Sequence, residues 1–159
     1  MNIPTKVAPF HAGELRAQQL AGGGPPGFAI REAMPEQHRT FFSMLRYMLL
    51  ATTDENGWPV ASIVTGPAGF VSSPEIDELN IGTDAHWLNG VQSLLRPWKP
   101  IGMLGIDLST RRRNRVNGIV SHIDEAGMHL DVTQSFGNCP KYIQVRDIDH
   151  DAAPVSPST

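Results

Sequence analysis

The sequence has very little cysteine and no long apolar run. Cys139 is the only cysteine among 159 residues, which excludes a disulfide framework and a cysteine-rich zinc site. No stretch reaches the run of about 20 apolar residues that a membrane-spanning helix needs, and the N-terminus lacks the basic start and apolar core of a signal peptide. We therefore expect a reducing, cytoplasmic location and no membrane partner.

An excess of basic charge is missing as well. The formal net charge is −3, whereas a general nucleic-acid binder needs a basic surface that neutralises phosphates, so we expect no nucleic-acid partner. With 40% apolar and 18% charged residues the composition is that of a globular protein. The 15 glycines and 13 prolines predict many turns and few long helices.

The chain divides into an arm, one domain and a tail. Residues 1–34 are predicted to form an N-terminal arm, because the Gly- and Pro-rich run at 21–27 cannot hold regular structure. Two interpretations of the arm stay open: it wraps a neighbouring subunit, or it is a disordered leader. Residues 35–146 are the predicted folded domain, and the polar residues 147–159 a disordered tail.

Short β-prone runs separated by turn residues dominate the domain. Helices are predicted at 35–45, where Pro35 suits a first turn, and at 84–96. The predicted strands are 47–53, 59–66, 67–71, 78–83, 101–108, 116–123 and 128–134. This pattern predicts a mainly β fold, a small β-barrel with helical connections, in which Asp54–Gly57 and Asp124–Gly127 turn two hairpins.

Alternation along these strands predicts which side chains share a face. In the second strand one face carries Val60, Ser62, Val64 and Gly66, and the other carries Ala61, Ile63 and Thr65. In the strand at 101–108 the inward residues are predicted to be Leu104, Ile106 and Leu108.

The most unusual stretch is 107–118, which contains four arginines. If it is extended, Arg111, Arg113, Arg115 and Asn117 share one side, and Arg112, Asn114, Val116 and Gly118 share the other. Guanidinium groups match phosphate and carboxylate oxygens, so the row predicts an anion site at the rim of a sheet. A solvated surface strand is the alternative.

A second anion-attracting segment is expected about twenty residues later. Pro140 is well placed at the first turn of a helix, with Asn138 or Cys139 as its cap, and Lys141 adds positive charge. Free N–H groups at such a helix start attract anions. Cys139 itself is interpreted as an inert buried thiol, because no histidine–acid pair lies nearby in sequence.

Three motifs in order carry a resemblance to a known family. Met48–Ser62, Leu104–Gly118 and Phe136–Ile143 together resemble the pyridoxamine 5′-phosphate oxidase-like family of FMN-binding split β-barrels, and the third motif is similar to the branch with an Asn-Cys-Pro-Lys-Tyr-Ile signature. The resemblance covers about residues 35–146. It implies a six-stranded antiparallel split barrel that forms a homodimer through its sheet faces, with one FMN in each of two clefts between subunits.

The resemblance also implies which residues lie near FMN. The second strand would run beside the ring and ribityl chain, a later short strand would contribute, the arginines would hold the phosphate, and Gln134 and Ser135 would come from the partner subunit. The implied cofactor-binding residues are Ala61, Ser62, Ile63, Val64, Thr65, Ile81, Gly82, Thr83, Arg111, Arg113, Arg115, Gln134, Ser135 and Lys141.

Departures from the family pattern limit the activity that is expected. The oxidases proper carry an arginine in the second strand and an Arg-Lys pair after the short strand, where this chain has Ser62 and Asp84–His86. The aromatic and basic C-terminal segment that holds pyridoxamine phosphate is absent from the sequence given. We therefore do not expect true pyridoxamine phosphate oxidase activity.

Three functions stay open at this point. The first is an FMN-dependent oxidoreductase acting on an unknown small molecule or pyridine nucleotide. The second is a flavin-binding protein without turnover, for storage, sensing or stress response. The third is a barrel that holds haem or a deazaflavin instead. No catalytic residue is assigned; His86 and His122 are candidate proton donors, but ordinary structural roles are favoured.

No metal site is predicted. His11 and Glu14 lie one helical turn apart, but two residues on an arm are too few ligands.

Overall fold

The computed structural model describes residues 10–24, 29–88 and 90–148. These residues form a mainly β structure: one curled, half-barrel sheet of antiparallel strands with two short helices. The helices are α1 (Ala12–Leu20) and α2 (Glu36–Met44), and the strands are β1 (Tyr47–Thr53), β2 (Pro59–Thr65), β3 (Val71–Ser72), β4 (Glu78–Gly82), β5 (His86–Trp87), β6 (Pro100–Asp107), β7 (Arg112–Asp124) and β8 (Gly127–Gly137).

The order of strands in the sheet is β3-β4-β8-β7-β6-β1-β2-β5. The predicted class, mainly β and barrel-like, is confirmed. The strand number is corrected from six to eight in the described part of the chain, because the two-residue strands β3 and β5 extend the two edges of the sheet. Both predicted hairpins are present, as β1–β2 and β7–β8.

Local turn chemistry explains the first hairpin. The side chain of Asp54 accepts hydrogen bonds from the backbone N–H groups of Asn56 and Trp58, each at 2.8 Å. Gly57 adopts a φ of 84°, which only glycine takes without strain. The turn therefore fixes the register in which Leu50 lies opposite Ser62.

The inner face of the sheet carries the core, closed at one end by α2. The two aromatic side chains of α2, Phe41 and Phe42, are fully buried and meet edge to face, with ring centroids 5.5 Å apart. They lie over Gly105, where an added Cβ would be 2.9 Å from Phe41 Cε1 and 3.1 Å from Phe42 Cε1. The helix predicted at 35–45 is thus confirmed as α2, and glycine at 105 gives it room to pack.

The predicted orientation of β6 is wrong by one residue. Ile101 and Met103 are the buried side chains, whereas Leu104 and Ile106 lie on the outer face and are half-buried. Leu108 follows the end of the strand. Both faces of this strand are apolar, so its own sequence does not distinguish them.

The helix predicted at 84–96 is also wrong. Its residues form β5 and then one turn of 3-10 helix, Val91–Leu94. Trp87 pairs with Val64 of β2, and Gly90 has a left-handed φ of 64° that separates the two elements. Pairing at the sheet edge therefore prevails over helical spacing of the apolar residues.

The N-terminal segment is partly attached to the sheet. His11 and Glu14, considered above as a metal pair, form a capping box at the start of α1. Arg31 pairs with Ser135 of β8, and Met34 is 1% exposed. Residues 1–9, 25–28 and 149–159, which include most of the predicted tail, lie outside the described residues. Within the described residues, no helix has the length and apolar character required to cross a membrane.

Candidate functional site

A row of small residues crosses the outer face of the sheet and ends in two amides. The register places five residues side by side across β2, β1, β6, β7 and β8: Ala61, Ala51, Gly102, Asn117 and Gln134. The Asn117 amide donates a hydrogen bond of 2.8 Å to Gln134 Oε1. A Cβ at Gly102 would be 3.2 Å from Asn117 Oδ1, so the asparagine lies over the glycine.

The next row on the same face combines apolar side chains with one cation. It consists of Ile63, Leu49, Leu104, Arg115 and Phe136, again in register across the five strands. Arg115 is exposed, and its guanidinium has no hydrogen-bond or ion-pair partner among the described residues. We call these two rows together the outer groove.

The outer groove is an open hollow of a size that accommodates a flat ligand. Leu49, Ala61 and Arg115 line a hollow of about 220 Å³, which adjoins a second of about 550 Å³ lined by Thr133 and Gln134. Ligand pockets in proteins commonly enclose about 300–1,000 Å³. The floor offers apolar surface, and the side formed by β7 and β8 offers two amides and a guanidinium.

The other arginines of the 107–118 stretch differ in their surroundings. Arg113 shares the outer face with Arg115 and donates from Nη2 to the Cys139 carbonyl at 3.0 Å, while its Nε is buried without a partner. Arg112 points to the opposite face, where its guanidinium lies 4.8 Å from the centroid of the Phe41 ring. The predicted alternation is therefore confirmed from Arg112 onward.

The alternation fails at Arg111, which lies in the turn before β7. Its φ is 59°, a left-handed conformation. Asp107 organises this turn by accepting hydrogen bonds from Thr110 and Ser109. Burial raises the pKa of Asp107, but these hydrogen bonds outweigh it, so the pKa lies below its ordinary value. These hydrogen bonds stabilise the turn, and Arg111 lies within it rather than in the strand.

Several predicted cofactor-binding residues lie away from the outer groove. Ser62 and Val64 are buried on the inner face, and Ser62 Oγ donates to the Leu88 carbonyl at 2.6 Å. Thr65 shares the outer face with Ala61 and Ile63 but lies beyond the two rows, where it pairs with His86 at the sheet edge. Only the backbone of Ser62 and Val64 is therefore open to a ligand on the outer face, whereas the Ala61 and Ile63 side chains point to it.

The predicted contribution of β4 lies at the far end of the sheet. Ile81 is buried and opposite Met128, whereas Arg115 is opposite Phe136, eight residues further along β8. At about 3.3 Å per residue the two positions are roughly 25 Å apart. Within one chain, Ile81 and its neighbours Gly82 and Thr83 thus do not share a site with Arg115.

The segment after β8 differs from its prediction. No helix begins at Pro140; the described residues there form a single turn, closed by a hydrogen bond from Ile143 N to the Pro140 carbonyl. Cys139 is exposed rather than buried. Lys141 is exposed, with its Nζ 5.6 Å from the Tyr142 ring centroid. The expected helix N-terminus therefore supplies no anion site.

Six of the ten residues of the outer groove were not predicted from the sequence. The residues not predicted as contacts are Leu49, Ala51, Gly102, Leu104, Asn117 and Phe136. Strands β1 and β6 are not joined by a hairpin, so no turn reveals their register. Asn117 was available as a signal, since alternation from Arg113 already placed it beside Arg115.

Neither a family model nor a curated protein matches this chain. The motif resemblance and the geometry of the outer groove therefore carry the functional argument together.

Ser135, another predicted contact, takes part in a buried hydrogen bond instead. A β-bulge in β8 turns it inward, where its Oγ lies 2.7 Å from Nδ1 of His38 on α2. Burial lowers the pKa of His38, and the nearby Arg31 and Arg112 lower it further. The imidazole therefore stays neutral at a pH where a free histidine begins to protonate.

This pair predicts a measurable pH dependence of stability. The unfolded chain binds a proton at His38 near its ordinary pKa of 6.5, whereas the folded chain binds it only at lower pH. The stability that His38 contributes is thus fully present above that value and decreases as the pH falls below it.

In His38→Gln, which keeps a polar partner for Ser135, we expect the Tm to fall less between pH 7 and about 5 than it does in wild type. Thermal melts across this pH range test the prediction. A slope of Tm against pH equal to that of wild type would contradict it. His86→Gln, at an exposed site, is the control and should keep the wild-type slope.

Proposed function

We propose that this chain is an FMN-binding oxidoreductase of the pyridoxamine 5′-phosphate oxidase-like kind, acting as a homodimer on an unidentified small-molecule substrate. The observation that carries the proposal is the outer groove: a flat row of small residues ends at the Asn117–Gln134 amide pair and lies beside the unpaired guanidinium of Arg115. These are the three contacts that a flat, polar-edged ring with an anionic tail requires.

The donor set fits FMN in its chemistry. Alanine and glycine side chains let a planar ring approach the sheet closely, and amides match the donors and acceptors along a ring edge. Arg115 would hold the phosphate through charge-assisted hydrogen bonds, each contributing about 1.5–3 kcal/mol. The unpartnered Nε of Arg113 adds a donor on the same strand face. FMN, when bound, supplies the hydride-transfer chemistry; the chain binds it, orients it and keeps water from one ring face.

The apolar character of the outer groove supports a dimer. Leu49, Leu104 and Phe136 are half-buried and Ile63 is 38% exposed on a face that no described element covers. Exposed apolar patches of this kind mark interaction sites. A second copy of the chain would bury them and enclose the ligand between two sheets. We do not propose true pyridoxamine phosphate oxidase activity, because this chain has Ser62 and Asp84–His86 where those oxidases carry an arginine and an Arg-Lys pair.

The direct test is the absorption spectrum of the freshly purified protein. We expect a yellow protein that releases one FMN per chain on denaturation, or an apoprotein that takes up one FMN per chain in a fluorescence titration. Sedimentation should give twice the 17.4 kDa chain mass. A protein that stays colourless with added FMN contradicts the proposal, and a Soret band or bound deazaflavin would assign the groove to another cofactor.

Turnover is tested separately from binding. Bound flavin should be bleached by NADH, NADPH or another donor under anaerobic conditions and should recover its colour in air. If FMN binds stoichiometrically but no donor reduces it, the oxidoreductase part of the proposal is wrong and a storage or sensing role replaces it.

A further inference from the structure

The tip of the β7–β8 hairpin brings three metal-ligating side chains to one face of the sheet. His122 and His129 are cross-strand partners, and Asp124 follows two residues after His122 on the same strand. One ligand atom from each of the three residues lies within 4.8 Å of the other two. This cluster plays no part in the outer groove.

The two imidazoles face one carboxylate. Their rings stack in parallel, with centroids 4.0 Å apart and an interplanar angle of 8°. Asp124 Oδ1 lies 3.2 Å from His129 Nε2, and Asp124 Oδ2 lies 3.6 Å from His122 Nε2.

Both Nε2 atoms face the Asp124 carboxylate, and each ring has a second polar group beside its Nδ1 atom. Ser121 Oγ donates to the His129 carbonyl at 3.1 Å, so its lone pairs accept from Nδ1–H of His122 at 3.2 Å. Nδ1 of His129 is buried without a hydrogen bond and lies 3.6 Å from Glu78 Oε1 on β4. A cation between the rings and the carboxylate would replace the hydrogen bond from His129 Nε2 to Asp124 Oδ1, with Ser121 and Glu78 beside the two Nδ1 atoms.

The geometry points to a divalent transition-metal site, for which Zn²⁺ is the best match, formed by His122, Asp124 and His129. Imidazole and carboxylate ligands suit Zn²⁺, whereas Mg²⁺ and Ca²⁺ prefer oxygen ligands alone. Glu78 is then a positioning residue, because metal-binding histidines usually donate their second N–H to a carboxylate. Water completes the coordination.

The ligand atoms are within reach of one zinc ion, although the stacked rings must turn out of their parallel arrangement so that both Nε2 lone pairs converge on it. Bonds of about 2.0–2.1 Å in a tetrahedral site place ligand atoms roughly 3.4 Å apart. The two carboxylate–imidazole separations of 3.2 and 3.6 Å bracket this value. The backbone N–H of Ala126 donates to Asp124 Oδ1 at 2.8 Å and so orients the carboxylate.

The metal would tie the hairpin tip to the sheet and would not contact the outer groove. His122 lies seven residues along β7 from Arg115, a distance on the order of 20 Å. Asn80 of β4 lies opposite His129, and its buried Oδ1 has no hydrogen-bond partner among the described residues. Strand β4 therefore offers one more hydrogen-bond acceptor near the cluster. A bound ion would thus fasten β7, β8 and β4 at the end far from the arginines.

The test uses the full-length, tag-free protein after treatment with EDTA. We expect calorimetric titration to show one Zn²⁺ per chain and a rise in Tm with added Zn²⁺, and Co²⁺ to give visible d–d absorption bands. His122→Ala and His129→Ala should each lose at least about tenfold in Zn²⁺ affinity, while His86→Ala, at an exposed histidine outside the cluster, should bind as wild type does. His122 is exposed, so its variant should fold normally.

Glu78→Gln separates positioning from fold stability. It should weaken Zn²⁺ binding while leaving the Tm of the metal-free protein unchanged. Equal Zn²⁺ affinity in wild type and in the His122→Ala and His129→Ala variants would mean an adventitious ion only and would overturn the site. Failure to bind Zn²⁺ or Co²⁺ at all would overturn it too, and neither result bears on FMN.

Discussion

Replacing Arg115 by alanine is expected to weaken FMN binding by about 10- to 150-fold, the equivalent of the about 1.5–3 kcal/mol that a hydrogen bond to a charged group contributes. Arg115 carries the effect because it is exposed beside the small-residue row and has no partner among the described residues that would compete for it. The measurement is a fluorescence titration of the apoprotein, in which flavin emission changes on binding.

Riboflavin provides the matched control for this prediction. It has the same ring and ribityl chain without the phosphate, so Arg115→Ala should leave its affinity nearly unchanged. Arg96→Ala, which removes an equal charge from an exposed position outside the groove, should leave FMN binding intact. If the Arg115 variant lost riboflavin and FMN equally, the guanidinium would be supporting the groove rather than binding phosphate.

The same titration ranks the other arginines. Arg113 already donates to the Cys139 carbonyl, so Arg113→Ala should cost less FMN affinity than Arg115→Ala. Arg112 packs on Phe41 at the inner face, so its removal should lower the Tm while leaving FMN affinity unchanged in the folded protein. An order with Arg112 first would place the ligand on the inner side.

The sequence predicted those parts of the fold that local chemistry determines. Both hairpins follow from their turn residues, although two register shifts alter the pairing further along β7 and β8, and α2 follows from Pro35 and the spacing of Phe41. The helix expected at 84–96 fails because Trp87 gains more from pairing with β2 than from helical packing. That gain depends on a strand some twenty residues away in sequence and is invisible locally.

The arrangement of the outer groove could be predicted only for residues whose positions follow from alternation along a single strand. Alternation along β7 correctly placed Arg113, Arg115 and Asn117 on one face, whereas Ala51 and Gly102 join them only through the pairing of β1 with β6. The orientation of β6 was misassigned because its outer face is apolar too. A second copy of the chain would cover that outer apolar face in the proposed dimer. The apolar residues on both faces of β6 therefore explain why its orientation was misassigned and also support the dimer.

Replacing Gly127 by alanine is expected to destabilise the protein by at least about 3 kcal/mol, the largest effect we predict for so small a change. Two costs combine at this position. The φ of 130° is strained for any residue with a Cβ. The added Cβ would also lie 2.0 Å from the Ile81 carbonyl oxygen and 3.1 Å from Gly82 Cα, both backbone atoms of β4 that no side-chain rotation can move.

Gly57→Ala is the matched control, because it separates the two costs. Gly57 also lies in a hairpin turn with positive φ, 84°, but nothing lies within 4 Å of a Cβ there. It should therefore lose only the conformational part, about 1–2 kcal/mol. Urea unfolding of both variants measures the difference, which reports the close approach of β4 to β8. Equal losses would mean that β4 does not pack against the hairpin tip as described, and would remove Glu78 from the proposed zinc site as well.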